Sequence, residues 1–287
     1  MQQTIPGIRK RVMQQPWGLW WMQAVRLTRI EVRRNLFSWK ASWIYFLAFV
    51  PTLIILIHAV VGRRLQLSMS DDTEVLAGIV QFYYIRLGIF FGCLGIFSRL
   101  IRGEMIERSL HFYFLSPVRR EVILLAKFAA GSISALLLFG SAILADFALM
   151  YASFGAAARD YIFNGPGLGQ LEAYLLITVL ACLGYGAIFL LLSLIFKNPT
   201  PAAMIFMGWE VINPIAPSLL QKISVASYLR HLMPLNVPAE GIFALLTVQT
   251  EAESALTATL GLLLLIVFVL VYSCYRIRAL EIRYTTE

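Results

Sequence analysis

Charge is scarce in this sequence. Only 14% of its 287 residues are charged, whereas soluble domains carry about 25%. Hydrophobic residues make up 59% of the chain, and the mean hydropathy is +0.75. The shortage of charge excludes an ordinary soluble domain and predicts an integral membrane protein.

Cysteine is also scarce, and the common catalytic motifs are missing. The three cysteines, Cys93, Cys182 and Cys274, lie in or at the end of apolar runs without the C-x-x-C spacing of a metal or redox site. We expect them to be buried thiols. The sequence contains neither a G-x-x-x-x-G-K-[ST] phosphate loop nor an H-E-x-x-H zinc motif. We therefore expect no catalytic residue, no metal site and no cofactor bound by this chain.

Long apolar runs, by contrast, are abundant. A helix needs about 20 mostly apolar residues to cross the hydrocarbon core, and six stretches qualify: 42–61, 79–98, 123–151, 171–196, 202–220 and 256–274. These predict an all-α fold with one six-helix transmembrane domain over 42–275, flanked by tails at 1–41 and 276–287. In the second span, Gly88, Gly92 and Gly95 predict the close approach of another helix.

The distribution of positive charge predicts an orientation. The N-terminal tail, the segment leading into span three, the turn at Lys197 and the C-terminal tail hold 18 of the 24 Lys and Arg residues, and the loops on the other side hold five. Because Lys and Arg concentrate on the cytoplasmic side, both termini are predicted to be cytoplasmic.

Two segments outside the spans have an apolar pattern of their own. In the N-terminal tail, one helical face collects Trp17, Trp20, Trp21, Ala24 and Val25, which predicts an amphipathic helix in the headgroup region. An ordinary basic tail is the alternative. The external segment 221–254 is half apolar and predicts short helices that re-enter the membrane, with a plain external loop as the alternative.

The segment between spans two and three predicts an amphipathic helix over 102–115. Its polar stripe consists of Glu104, Glu107, Arg108 and His111. An interfacial helix would account for the amphipathicity, but anionic headgroups do not favour acidic side chains. A stripe of mixed charge suits a protein surface better. Ser116 and Pro117 have the residue types of an N-cap and a first helical position for the next helix.

Several ionisable residues lie within the predicted spans. Because a charge in the bilayer costs about 3 kcal/mol or more, Arg86 and Asp146, at similar depths, are predicted to form an ion pair. Glu210 has no obvious partner and precedes Asn213 and Pro214, which would bend the helix. These three residues suit either a substrate path or a structural role. His58, close to the outer surface, is expected to be a satisfied polar residue.

The run from Glu104 to Lys127 resembles a segment of type 2 ATP-binding-cassette (ABC) transporter permeases. The matching positions are Leu110, Leu115, Ser116, Pro117, Val118, Arg120, Glu121, Leu124, Leu125 and Lys127. The sequence departs from the family pattern at Arg108-Ser109, where Gly-Thr is common, at His111, where an acid is common, and at Ala126, where Gly is common.

This resemblance implies a function. The 102–115 helix would be the coupling helix, docking on a separate ATP-hydrolysing subunit that holds ATP and Mg²⁺, with contacts from Glu104, Glu107, Arg108, His111, Ser116, Pro117 and Arg120. The chain would be the permease subunit of an exporter in the cell membrane, paired with a second permease copy and surrounded by membrane lipid. We expect no nucleic-acid partner.

Two other classes of function remain as alternatives. An ion-coupled secondary transporter would use Glu210 and Asp146 as carriers, and would be expected to show inverted repeats, which the sequence lacks. An intramembrane enzyme would need a polar catalytic cluster at one depth, which Glu210 alone does not provide.

Overall fold

The computed structural model describes residues 16–65, 68–106, 118–213, 216–235 and 254–279, and these ranges are helical without a β-strand. The helices are α1 Trp17–Phe37, α2 Ser42–Leu65, α3 Met69–Ile106, α4 Arg120–Tyr151, α5 Gly155–Phe163, α6 Gly167–Ile195, α7 Pro199–Ile212, α8 Ser218–Gln221, α9 Val225–Arg230 and α10 Ala255–Arg278. An all-α membrane fold is what the long apolar runs predicted.

Five helical segments in the described ranges are long and apolar enough to cross a membrane. They are α2, α3, α4 with α5, α6 and α10. The region of the predicted fifth span contains α7, which has 14 residues and would extend about 21 Å, short of the roughly 30 Å hydrocarbon core. Helices usually end before the residue that precedes a proline, and α7 ends at Ile212, before Asn213-Pro214. A sixth span stays a prediction.

Helix α3 is longer and less regular than the predicted second span. It begins at Met69, where the side chain of Ser68 accepts a hydrogen bond from the backbone N–H of Asp71 at 3.2 Å. Two of its segments, Ile79–Gly88 and Arg99–Gly103, have π-helical hydrogen bonding. Each π-segment changes the direction in which the following side chains point.

The core of the bundle lies around α6, which packs against α3, α4, α7, α9 and α10. Aromatic rings fill its contact with α3, where the ring centroids of Phe90 and Phe189 are 4.9 Å apart. The predicted close approach at the α3 glycines is confirmed. A Cβ atom on Gly92 would lie 2.3 Å from the Phe139 ring of α4, and one on Gly95 would lie 2.2 Å from Trp43 of α2.

The first part of the predicted re-entrant segment is buried in the protein. Val225 and Leu229 of α9 have no exposed surface, and α9 packs against α3, α6, α7 and α10. This burial is unlike that of a plain external loop. The rest of the segment, 236–253, lies outside the described residues, and membrane re-entry stays a prediction.

Candidate functional site

A buried ion network lies where the predicted coupling segment begins. The Lys127 ammonium donates hydrogen bonds to Glu31 Oε1 and Glu104 Oε1, both at 2.7 Å. Arg34 donates to the same Glu104 oxygen at 2.8 Å and lies 3.0 Å from Glu31 Oε2. The side chains of Lys127, Glu31 and Glu104 are at most 1% exposed. Two cations, the buried Lys127 and the partly exposed Arg34, therefore balance two buried carboxylates.

The network joins three helices at one point. Glu31 and Arg34 come from α1, Glu104 from the last turn of α3, and Lys127 from the start of α4. Helix α1 packs along α4, and Thr28 donates a hydrogen bond to the Ala126 carbonyl at 3.1 Å, one residue before Lys127. Both ends of the chain segment 107–119 are thus anchored to the same buried cluster.

Glu104 points into the protein, whereas the sequence predicted that it faces a partner subunit. The sequence pattern placed it on a stripe facing a partner, but its side chain is 1% exposed and pairs with Arg34 and Lys127. The helical stripe did not reveal this contact because both cations come from distant parts of the chain. The other members of the predicted docking set, Glu107, Arg108, His111, Ser116 and Pro117, lie outside the described residues.

Arg120, the remaining residue of the docking set, contacts the end of α10. Its guanidinium donates to the backbone carbonyls of Arg278 at 3.1 Å and Ile277 at 3.5 Å. Next to it, Glu121 accepts a hydrogen bond from Arg278. A cation beside the last carbonyls of a helix is favourable because they carry partial negative charge. These contacts connect the start of α4 to the end of α10.

The predicted Arg86–Asp146 ion pair is wrong. Asp146 Oδ2 lies 2.7 Å from the Tyr84 hydroxyl, whereas the Arg86 guanidinium lies over the Phe82 ring at 5.5 Å. Tyr84 and Arg86 are two residues apart on α3, so their side chains point to opposite sides of the helix. Similar depth along the membrane normal was not enough to predict a contact, because two side chains must also point toward each other around their helix axes.

Glu210 has partners that the sequence analysis missed. Its carboxylate accepts hydrogen bonds from the Ser224 hydroxyl at 2.5 Å and from the backbone N–H groups of Val225 at 2.9 Å and Ala226 at 3.1 Å. It therefore caps the N-terminus of α9, where an anion is favoured. Ser224 and Ser227 could have indicated this helix start in the sequence, because the Ser224 hydroxyl accepts a hydrogen bond from the Ser227 N–H at 3.0 Å.

Of the two residues predicted to act with Glu210, the structure describes only Asn213. The side chain of Asn213 is buried, and its amide lies 3.4 Å from the Leu220 carbonyl, while Pro214 lies outside the described residues. Burial lowers the pKa of the Arg230 guanidinium at the end of α9, Arg86 lowers it further and Glu210 opposes them. The Ile79–Gly88 part of α3, which carries Arg86, packs against α9.

His58 has a hydrogen-bonding partner, as its position in the sequence predicted. Its Nε2 lies 3.0 Å from Asp72 Oδ1 of α3. This contact links α2 to the first turn of α3. No polar catalytic cluster is formed by His58, Asp146 and Glu210, because each has its own local partner.

Comparison with known proteins adds no relative: no protein-family model matches the chain, and no curated protein matches its sequence.

Proposed function

We propose that this chain is the membrane-spanning permease subunit of an ABC transporter, working as an exporter with a second permease copy and two ATP-hydrolysing subunits. The observation that carries the proposal is the buried Lys127 network. It lies at the two ends of the segment that resembles the coupling region of type 2 permeases.

The network supports a mechanical role for this region. Removing one partner from a buried ion pair is strongly unfavourable, so α1, the end of α3 and the start of α4 are expected to move as one unit. Closure of the ATP-hydrolysing subunits would push on the predicted coupling segment 102–115, whose first residues form the end of α3. Its displacement would then reach α3 and α4 together, and through Arg120 and Glu121 also the end of α10.

The proposed arrangement in the membrane follows from the charge distribution. We place both termini in the cytoplasm and the chain in the cell membrane, with ATP and Mg²⁺ bound by the partner subunit. Alternating access of the spans between inward-open and outward-open states would move the substrate.

The ion-coupled transporter is less well supported. Its two candidate carriers each hold a structural contact: Glu210 caps α9, and Asp146 meets the Tyr84 hydroxyl. A carrier carboxylate must exchange its proton or ion during transport. If Glu210 left its contacts to do so, the N-terminus of α9 would lose its hydrogen-bond acceptor.

An uncoupling experiment tests the proposed docking role. Alanine at both Glu107 and His111 should lower permease-dependent ATP hydrolysis by the partner subunit at least ten-fold, because one hydrogen bond to a charged group contributes about 1.5–3 kcal/mol and about 1.4 kcal/mol corresponds to ten-fold. The measurement is ATP hydrolysis of the reconstituted complex with and without the permease. Arg159→Ala, an exposed change on α5, is the matched control and should leave the rate unchanged. Equal rates in all three proteins would contradict the docking role.

A further inference from the structure

An apolar groove runs between α1 and α4. Its cavity volume is about 670 Å³, within the range of small-molecule sites. Apolar side chains from both helices line most of it, including Trp17, Trp21, Val25, Leu125 and Ile133. All five are also exposed, up to 72% for Trp21. Among the described residues, the groove is thus an open apolar surface beside the Lys127 network.

One charged side chain lines this groove. Arg29 is the only ionisable residue among those that form it, and it has no carboxylate within 4.0 Å in the described part of the chain. The only other polar side chain in the lining, Thr28, already donates to the Ala126 carbonyl. Arg26 and Arg33 are exposed on the same helix, three residues before and four after Arg29, but they do not line the groove.

We propose that this groove binds one anionic phospholipid, with an acyl chain against the apolar face of α4, the phosphate on Arg29 and the tryptophans of α1 near the headgroup. A single ligand that is apolar along its length and negative at one end fits this lining. Tryptophan favours the depth at which the headgroup and the acyl chain meet, and arginine binds phosphate through two parallel N–H groups.

The position of Arg29 in the lining predicts selectivity among lipids. A zwitterionic phosphatidylcholine offers the same phosphate and the same chains, but its choline ammonium cancels the net charge. A basic residue against an anionic headgroup is worth about five-fold in binding. We therefore expect the groove to prefer phosphatidylglycerol to phosphatidylcholine by about five-fold or more when the acyl chains are identical.

The bound lipid would hold α1 against α4. Both helices supply the network residues Glu31 and Lys127, and the groove lies along the same helix pair. This site does not depend on the proposed transport function, because it rests only on the geometry and charge of α1 and α4 in a membrane protein.

Native mass spectrometry of the delipidated, detergent-solubilised full chain tests the site. Titration with dioleoyl phosphatidylglycerol should show one lipid that stays bound under conditions that remove the others, and dioleoyl phosphatidylcholine should bind more weakly. Arg29→Gln should lower the phosphatidylglycerol affinity at least five-fold and remove the preference for it. Ala129→Phe, which fills the groove at a lining residue, should lower the binding of both lipids.

Arg26→Gln is the matched control, because Arg26 is exposed on the same helix but does not line the groove. Its effect should be less than two-fold. An equal loss in the Arg26 and Arg29 variants would mean diffuse attraction to the surface, and unchanged binding in the Arg29 variant would mean no headgroup site; either result overturns the proposal. Should Ala129→Phe fail to fold, as judged by gel filtration, the Arg29 and Arg26 pair decides the question.

Discussion

At the scale of single residues, Lys127 is a charged side chain that only 1% exposure separates from full burial. Its ammonium is almost fully buried and contacts two carboxylates from different helices. A lysine is tolerated there only because Glu31 and Glu104 neutralise it, and the two acids in turn depend on Lys127 and Arg34.

Removing Lys127 should therefore destabilise the protein. We expect Lys127→Ala to lower the free energy of unfolding by about 3–5 kcal/mol, because two carboxylates would lose a buried partner. Thermal unfolding in detergent measures the change. The triple variant Glu31→Gln, Glu104→Gln, Lys127→Met removes the buried charges together and should be closer to the parent than Lys127→Ala. A single variant as stable as the parent would show that the network does not hold these helices.

The network could not have been predicted from the sequence. Lys127 is 96 residues from Glu31 and 23 from Glu104, so no local period connects them. The pattern did place Glu104 on a polar stripe, but a stripe does not tell an internal partner from an external one. Glu210 is a different case, because the sequence Ser224-Val225-Ala226-Ser227 indicates a helix N-terminus that requires acceptors.

At the scale of elements, α9 depends on a residue from outside it. It has only six residues, too few to be stable alone, and its first N–H groups are bound by Glu210 of α7. The contact connects the end of α7 to the segment that follows, across Pro214 and Pro217 in the sequence.

Loss of the Glu210 cap should loosen α9 specifically. Glu210→Ala leaves buried N–H groups without their acceptor, and losing a cap costs about 0.5–2 kcal/mol. We expect amide hydrogen exchange in residues 225–230 to rise about ten-fold, measured by mass spectrometry of the detergent-solubilised protein. Val211→Ala, an exposed change at the neighbouring position of α7, is the control and should leave this exchange unchanged. Unchanged exchange in Glu210→Ala would contradict the capping role.

Most of the helices were predictable, and their irregularities were not. The apolar runs placed α2, α4, α6 and α10 because their lengths approach that of a bilayer. The π-segments of α3, Ile79–Gly88 and Arg99–Gly103, have no signal in the hydropathy of the sequence. The region 202–220 is one apolar run in the sequence, yet α7 ends at Ile212, and a following proline generally favours such an end.

At the scale of the whole molecule, the contacts around the predicted coupling segment connect most of the bundle. The Lys127 network joins α1, α3 and α4, and Glu121 and Arg120 join α4 to α10. Helix α6 in turn packs against α3, α4 and α10. This arrangement suits a protein driven by a force applied at one surface.

The most direct test of that account is purification of the tagged chain from its native membrane under mild detergent. We expect an ATP-hydrolysing protein to be recovered with it in equal amounts, in a complex of two permease and two ATP-hydrolysing chains. Recovery of the chain alone, together with full transport activity in vesicles that contain no other protein, would contradict the account.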